Sequence, residues 1–349
     1  MSVKRVVLLL TFLLISGIAA AYLYFQHALN APVKLPEQGL KIEIAKGETL
    51  HSVLQRLQAQ GVLDTVWPAK LYVKQQALLG QAALANKIQT GEFKLTPPMN
   101  LPFLLHYLSS NNQVSYSIQF IEGSRVSDAL SVLANEEKLK KELTGLSHKA
   151  IAEKLGLSGN VALEGQIYPD TYLFHKGDSD LDLLIRAHIR LKQVLEEEWQ
   201  NRQTGLPLNS AYEALILASI IERETGVPEE RTEIAGVFTR RLQKKMRLQT
   251  DPTVIYGLGD SYKGNITSRH LREATPYNTY RIAGLPPTPI ALVGRAAIHA
   301  AVHPKPGKSL YFVAKGDGSH QFSDTLEEHN RAVRQFQLKR REDYRSSIR

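Results

Sequence analysis

The sequence contains no cysteine, which excludes a disulfide framework, a thiolate zinc site, an iron–sulfur cluster and a cysteine nucleophile together. A G-x-S-x-G serine signature and an H-E-x-x-H metal motif are also missing, and the basic residues are not interleaved with a stacking motif of nucleic-acid type. Pro306-Gly307-Lys308-Ser309 ends like a phosphate-binding loop, but Val302 stands five residues before Gly307, where that motif demands glycine. His299 and His303 are four apart, yet Pro304 follows at once, so they read as core or loop histidines; His320 and His329 stay unassigned. No cofactor, no bound metal and no nucleic-acid partner is therefore expected. What remains is ordinary: 349 residues, 43% hydrophobic and 22% charged, suit two or three water-soluble domains. The net charge of +9 is spread along the chain and says little about a partner.

Long apolar runs are absent with one exception. After Lys4 and Arg5, residues 6–25 carry no charge, and as a helix they span about 30 Å, the hydrocarbon core of a bilayer. Residues 1–5 are then a cytoplasmic tail and 6–25 a transmembrane helix. Tyr22, Tyr24 and Phe25 form an interfacial belt at its far end, and the positive-inside rule leaves the rest of the chain outside. The rival reading is a signal peptide cut near Ala19-Ala20-Ala21; the run is longer than the usual apolar region of about 7–15 residues, which favours an uncleaved anchor.

Residues 26–38, polar and proline-bearing, read as a tether. Two copies of a strand-turn-helix pattern follow. The first has Ile42-Glu43-Ile44, the turn Lys46-Gly47 and an apolar stripe of Leu50, Val53, Leu54 and Leu57; the second has Ser117 to Phe120, Gly123 and Val126, Ala129, Leu130 and Leu133. The offset is 76 residues at each matched position. K-G-E-T-L before an apolar helix resembles the opening of a LysM carbohydrate-binding module, which makes 39–110 a LysM-like domain. Ile88 to Leu95 is expected as a strand, Leu101 to Leu108 as a short helix, and helical segments should dominate from Glu136 to Leu163. Leu181 to Trp199 reads as an amphipathic helix, with Glu196-Glu197-Glu198 as solvated surface. Residues 111–206 thus hold the second unit and a helical connector, and 207–349 a mixed domain that closes with a helix from about Thr325 to Arg341. The fold class is α+β.

One helix carries an unusual carboxylate. Ser210 and Glu213 form a capping box for Ala211 to Thr225, whose Leu215, Ile216, Leu217, Ala218, Ile220 and Ile221 wrap all sides. Glu222 and Glu224 in the last turn point about 200° apart. Glu224 continues the bulkier stripe of Leu217, Ile220 and Ile221, so it is the better candidate for an apolar pocket. Desolvation and the negative end of the helix dipole would both raise its pKa, as a general acid for glycosidic bond cleavage requires. The alternative is an ion pair from Glu224 to Arg223 or Arg231, which would lower it.

Four strings then point to a family: L-E-G-Q-I-Y-P-D-T-Y from Leu163, A-S-I-I-E-R-E-T-G ending at Gly226, M-R-L-Q-T-D-P-T-V-I-Y-G from Met246, and Y-N-T-Y-R-I-A-G-L-P-P from Tyr277. In this order they resemble the YceG-like endolytic murein transglycosylases over essentially the whole chain. The resemblance implies that Glu224 is the catalytic acid and that the MurNAc–GlcNAc β-1,4 bond of peptidoglycan is cut within the strand, the MurNAc C6 hydroxyl closing a 1,6-anhydro ring. It also implies substrate-binding parts for Gln249, Asp251, Tyr256, Tyr277, Asn278 and Tyr280. Glu164 is expected in a binding or structural part, adding a second carboxylate if it reaches the site, and peptidoglycan synthases are implied as partners. A hydrolytic glycosidase and a noncatalytic peptidoglycan-binding scaffold remain as alternatives.

Overall fold

The computed structural model describes residues 3–80, 88–159 and 161–337. The chain divides into two compact units, Met1–Tyr116 with Phe174–Gly177, and Ser117–Leu173 with Asp178–Arg349. Helices and short antiparallel ladders occur in one α+β fold, as the sequence predicts.

In the first unit, α1 (Val3–Asn30) is followed by β1 (Leu40–Ile44), α2 (Leu50–Ala59), α3 (Trp67–Leu78), β2 (Gly91–Leu95) and α4 (Leu101–Ser109). Strands β1 and β2 pair antiparallel from Leu40 opposite Leu95 to Ile44 opposite Gly91. Their alternation sends Ile42, Ile44, Phe93 and Leu95 into a core shared with Val53, Leu57, Leu104 and Leu108. Helix α1 is long and apolar enough to cross a membrane, with a mean hydropathy of 2.5 in its best window. It does not stop at Phe25. Phe25 and Leu29 are buried in the first unit's core, Val33 joins them, and the Val33 N–H donates to the Met99 carbonyl at 2.8 Å. The segment expected as a tether, 26–38, is thus helix followed by a packed strap, because its sparse apolar residues fall on the side that meets α3 and α4.

Strand β3 (Ser115–Gln119) pairs with β4 (Thr171–His175), and the chain changes unit within each strand. The second unit contains α5 (Val126–Asn135), α6 (His148–Lys154), α7 (Asp180–Gln200), α8 (Ala211–Glu224), α9 (Arg231–Gln243), α10 (Asp251–Leu258), α11 (Ser268–Arg272), α12 (Arg295–Val302), β5 (Tyr311–Ala314), β6 (His320–Ser323) and α13 (Leu326–Phe336). The hub is α8, in which every residue from Ala214 to Ile221 is buried. Leu191 and Val194 of α7, Ile234 and Phe238 of α9, and Ile298 and Ala301 of α12 close round it. A helix apolar on all sides can only be stable inside such a shell.

The two matched patterns fold alike locally. Helices α2 and α5 begin at Leu50 and Val126, 76 residues apart, and Gly47 and Gly123 both take the left-handed conformation with φ of 84° and 74°. Between Glu136 and Leu163, however, the described residues hold only the short helix α6, because left-handed Gly145, Gly156 and Gly159 turn the chain instead. The final helix is seen to Phe336, and the rest of the expected span lies outside the described residues.

Phe93 and Phe238 are each at most 1% exposed. Phe93→Ala and Phe238→Ala should each cost about 3–5 kcal/mol, whereas exposed Lys149→Ala should stay within about 0.5 kcal/mol. Denaturant midpoints of the full chain in detergent check both expectations.

Candidate active site

The site is built at the carboxy-terminal end of α8. Ser210 Oγ accepts from the Glu213 N–H at 3.2 Å, so the capping box forms as read. The helix stops at Glu224, one residue before the expected end, and extended Thr225 takes the cap position. Thr225 Oγ1 accepts from the Val227 N–H at 2.9 Å and donates to Glu230 Oε2 at 3.4 Å. Glu230 in turn binds the His320 N–H at 2.8 Å and His320 Nδ1 at 2.7 Å, with both side chains largely buried. The residue after the candidate acid is therefore fixed to β6.

Half-buried Glu224 accepts a hydrogen bond from Thr250 Oγ1. Loss of hydration pushes its carboxyl pKa up to about 7; the Thr250 hydroxyl and the Arg241 guanidinium oppose the rise, and the negative charge of Asp251 adds to it. Thr250 is held from behind by two buried hydroxyls. Its N–H donates to Thr279 Oγ1 at 3.0 Å, and Thr253 Oγ1 donates to its carbonyl at 2.8 Å. Gln249 immediately before it has φ of 52°, a costly conformation for a side chain other than glycine. Buried Arg241 holds that bend, donating from Nη1 to the Leu248 carbonyl at 2.8 Å and to Gln249 Oε1 at 3.4 Å. Tyr280 closes the group, its hydroxyl donating to Asp251 Oδ1 at 2.8 Å. Burial and the nearby carboxylates Asp251 and Glu224 push that phenol up.

Glu222 is shielded too, only 5% of its side chain being exposed, which the helix-face argument underrated. What separates the glutamates is partnership. Arg231 pairs with Glu222 at 3.4 Å, the Gly294 N–H donates to Glu222 at 3.1 Å, and Arg223 Nη1 donates to the Gly123 carbonyl. The ion pair weighed for Glu224 is thus formed by its neighbour, and among the described residues the hydrogen-bond partner of Glu224 is the Thr250 hydroxyl.

The other nominated residues fall elsewhere. Glu164, 6% exposed, accepts the Val126 N–H at 2.9 Å and so binds the start of α5; it also meets the Tyr256 hydroxyl, and burial pushes its carboxyl up. Tyr256 crosses Tyr277 edge-on with ring centres 4.9 Å apart, and Arg125 lies 5.1 Å above the Tyr256 ring. Tyr277 shares a hydrogen bond with Thr288 at 2.9 Å. Asn278 spends its amide inside the protein, donating to the carbonyls of His270, Leu271 and Glu273 and accepting from the Tyr280 N–H at 3.0 Å. Helix α10 links the two groups, with Asp251 at its start and Tyr256 one turn on. Sequence reading gave no helix there, since the T-D-P start hides a proline in the first turn, where it is tolerated. Beside α10 lies a cavity of about 370 Å³ lined by Ser124, Arg125, Arg223, Pro252 and Tyr256.

Thr250 and Arg241 were missed by sequence reading. Thr250 stands between two nominated residues, a usable signal, whereas nothing in the local sequence marks Arg241, whose burial comes from contacts distant in the chain. Glu198 also differs from expectation: it is 8% exposed, not solvated, and pairs with Arg295 at 3.3 Å and His299 Nδ1 at 2.8 Å. Glu198, His299 and His303 bring donor atoms within 4.8 Å of one another. The two imidazoles stack 4.2 Å apart and 17° from parallel, so their in-plane lone pairs do not converge on one point, and Arg295 already neutralises the carboxylate.

Glu224, its carboxyl pushed up to about 7, accepts from the Thr250 hydroxyl near the Asp251 carboxylate, an arrangement able to give and take a proton near neutral pH. The model of the YceG-like family matches residues 42–335, and the chain belongs to that family. It is 30% identical over 335 residues to the endolytic murein transglycosylase of Bacillus subtilis, with 91% of each chain covered. An endolytic murein transglycosylase of Streptococcus pneumoniae is 29% identical over 177 residues, which is 49% of this chain and 32% of that protein. A crystal structure of a YceG-like protein from Listeria monocytogenes superimposes with a TM-score of 0.53 at 30% identity, covering 85% of this chain and 99% of the other.

The raised pKa of Glu224 has a consequence for stability. The folded protein binds this proton more tightly than the unfolded chain, so its contribution is fully present below the unfolded value near 4.3 and is lost as pH rises through about 7. Glu224→Gln removes that loss. The variant should be more stable than the parent by about 3–4 kcal/mol at pH 8.5 and near parity at pH 4.5, as read from unfolding midpoints at the two pH values.

Proposed function

We infer that the chain is an endolytic murein transglycosylase in which Glu224 is both acid and base. The observation that carries this reading is the Glu224 carboxyl, held protonated up to about pH 7 by loss of water yet hydrogen-bonded by Thr250. The names of its relatives supply the substrate, peptidoglycan. In the proposed reaction the bond from MurNAc C1 to the GlcNAc oxygen breaks as that oxygen takes the Glu224 proton. The MurNAc C6 hydroxyl then bonds to C1, and its proton returns to Glu224. One carboxyl group suffices because the nucleophile belongs to the substrate and is already close.

In this reading Arg241 and the Thr250, Thr253 and Thr279 hydroxyls position the acid, and Asp251 with Tyr280 adjusts its charge. Tyr256 offers a partly exposed ring in the wall of the neighbouring cavity, suited to a sugar face. Gln249, exposed and forced into its bend, is placed to meet a sugar hydroxyl or acetamido group. Asn278 shapes the loop that carries Tyr277 and Tyr280, and Glu164 holds the Tyr256 hydroxyl of α10. Helix α1 anchors the protein in the bacterial inner membrane with its amino terminus cytoplasmic and both units periplasmic, where nascent glycan emerges. Cutting there terminates strand elongation, and peptidoglycan synthases are the partners this position implies. The LysM-like first unit would grip the strand.

Glu224→Gln should cut turnover by about 10²–10⁴-fold. Mass spectrometry of uncrosslinked glycan strands should show internal fragments with anhydro ends, one water lighter than reducing ends, with the parent and not with the variant. Reducing ends would make the chain a hydrolase with Asp251 as second carboxylate, and bound but intact strands would make it a scaffold. The pH profile gives an independent check. The acid form is needed first, so activity should fall as pH rises through about 7. Thr250→Val removes a donor that favours the anion and should move that limb to higher pH. Asp251→Asn removes a charge that opposes the anion and should move it lower.

A further inference from the structure

Helix α3 has two unlike faces. Ala69, Tyr72 and Val73 pack into the first unit's core. At about 100° per residue, Trp67, Leu71, Lys74 and Leu78 fall within about 60° of one another on the opposite side, with Lys70 at its margin. This outward face carries three exposed apolar side chains beside Lys74: Trp67 is 39% exposed, Leu71 46% and Leu78 89%. The face begins at the anchor, because the Trp67 ring stacks on Tyr24 at 6.0 Å and lies 6.1 Å from Phe25, the outer end of the apolar run of α1. Trp and Tyr at that level are the usual markers of the lipid–water interface, and lysines flanking an apolar face reach outward to anionic head groups.

We propose that the outward face of α3, Trp67, Leu71 and Leu78 with Lys70 and Lys74, lies on the bilayer surface beside the anchor as a second membrane contact recognising anionic lipid. This rests on the reading of α1 as a membrane anchor. The occupant is argued from continuity: the face starts against the aromatic end of the anchor and carries basic residues of the matching charge. Leu78 is the discriminating position. It is 11 residues from Trp67, about 16 Å along the helix, so nearness to the anchor alone does not place it in lipid.

The chain has no cysteine, so single cysteines at Leu14, Leu71 or Leu78 take a nitroxide label uniquely. The full chain is reconstituted in bilayers containing phosphatidylglycerol, and collisions of the label with oxygen and with a water-soluble nickel chelate are compared. Labels at all three positions should meet oxygen more than nickel. Lys70→Glu with Lys74→Glu should reverse the ratio at Leu78 in these bilayers and leave Leu14 unchanged. A Leu78 label that meets mainly nickel while Leu14 sits in lipid overturns the surface contact and spares the anchor. A Leu78 label shielded from both reagents means that protein covers the face, which also overturns it. A Leu14 label in water removes the anchor and this inference with it.

Discussion

Loss of water around one carboxyl group is the constraint on which the second unit is organised. Eight consecutive buried residues of α8 lead to Glu224, and a helix so apolar needs α7, α9 and α12 round it before it can exist. The shell that stabilises the helix also removes the water from its end, so folding and proton affinity have one origin. Arg241, Thr250, Thr253 and Thr279 then set how far the proton affinity rises. The arginine is spent mainly on backbone carbonyls, which holds its charge near the acid without forming an ion pair that would discharge it.

Glu222 shows the contrast within the same turn. It is as closed off from water as a functional acid should be, yet Arg231 and the Gly294 N–H occupy it. Burial alone therefore does not separate the two glutamates. Their partners do, a cation for one and a hydroxyl for the other.

Much of this was legible in the sequence because it is local. The α8 capping box, its apolar circumference and the divergence of Glu222 from Glu224 are consequences of helical spacing. The strand-turn-helix pairs and the α+β class follow from periodicity in the same way, as does the apolar α1. What was not legible is set by contacts distant in sequence. Arg241 is buried because the Arg247 to Gln249 bend folds over it, Glu198 because α12 brings Arg295 and His299 against it, and Asn278 is consumed by carbonyls that α11 presents. Helix α10 escaped for a local reason, since its proline looked like a breaker and its eight residues are too few for a clear period.

Helix α1 enters the first unit's core without a joint. A flexible linker of the thirteen residues once expected there would let a domain wander over roughly 20 Å. With Phe25, Leu29 and Val33 packed, that freedom is gone, and the first unit turns and tilts as one piece with the helix. Wherever α1 crosses a bilayer, this rigid connection fixes the height of the first unit above it.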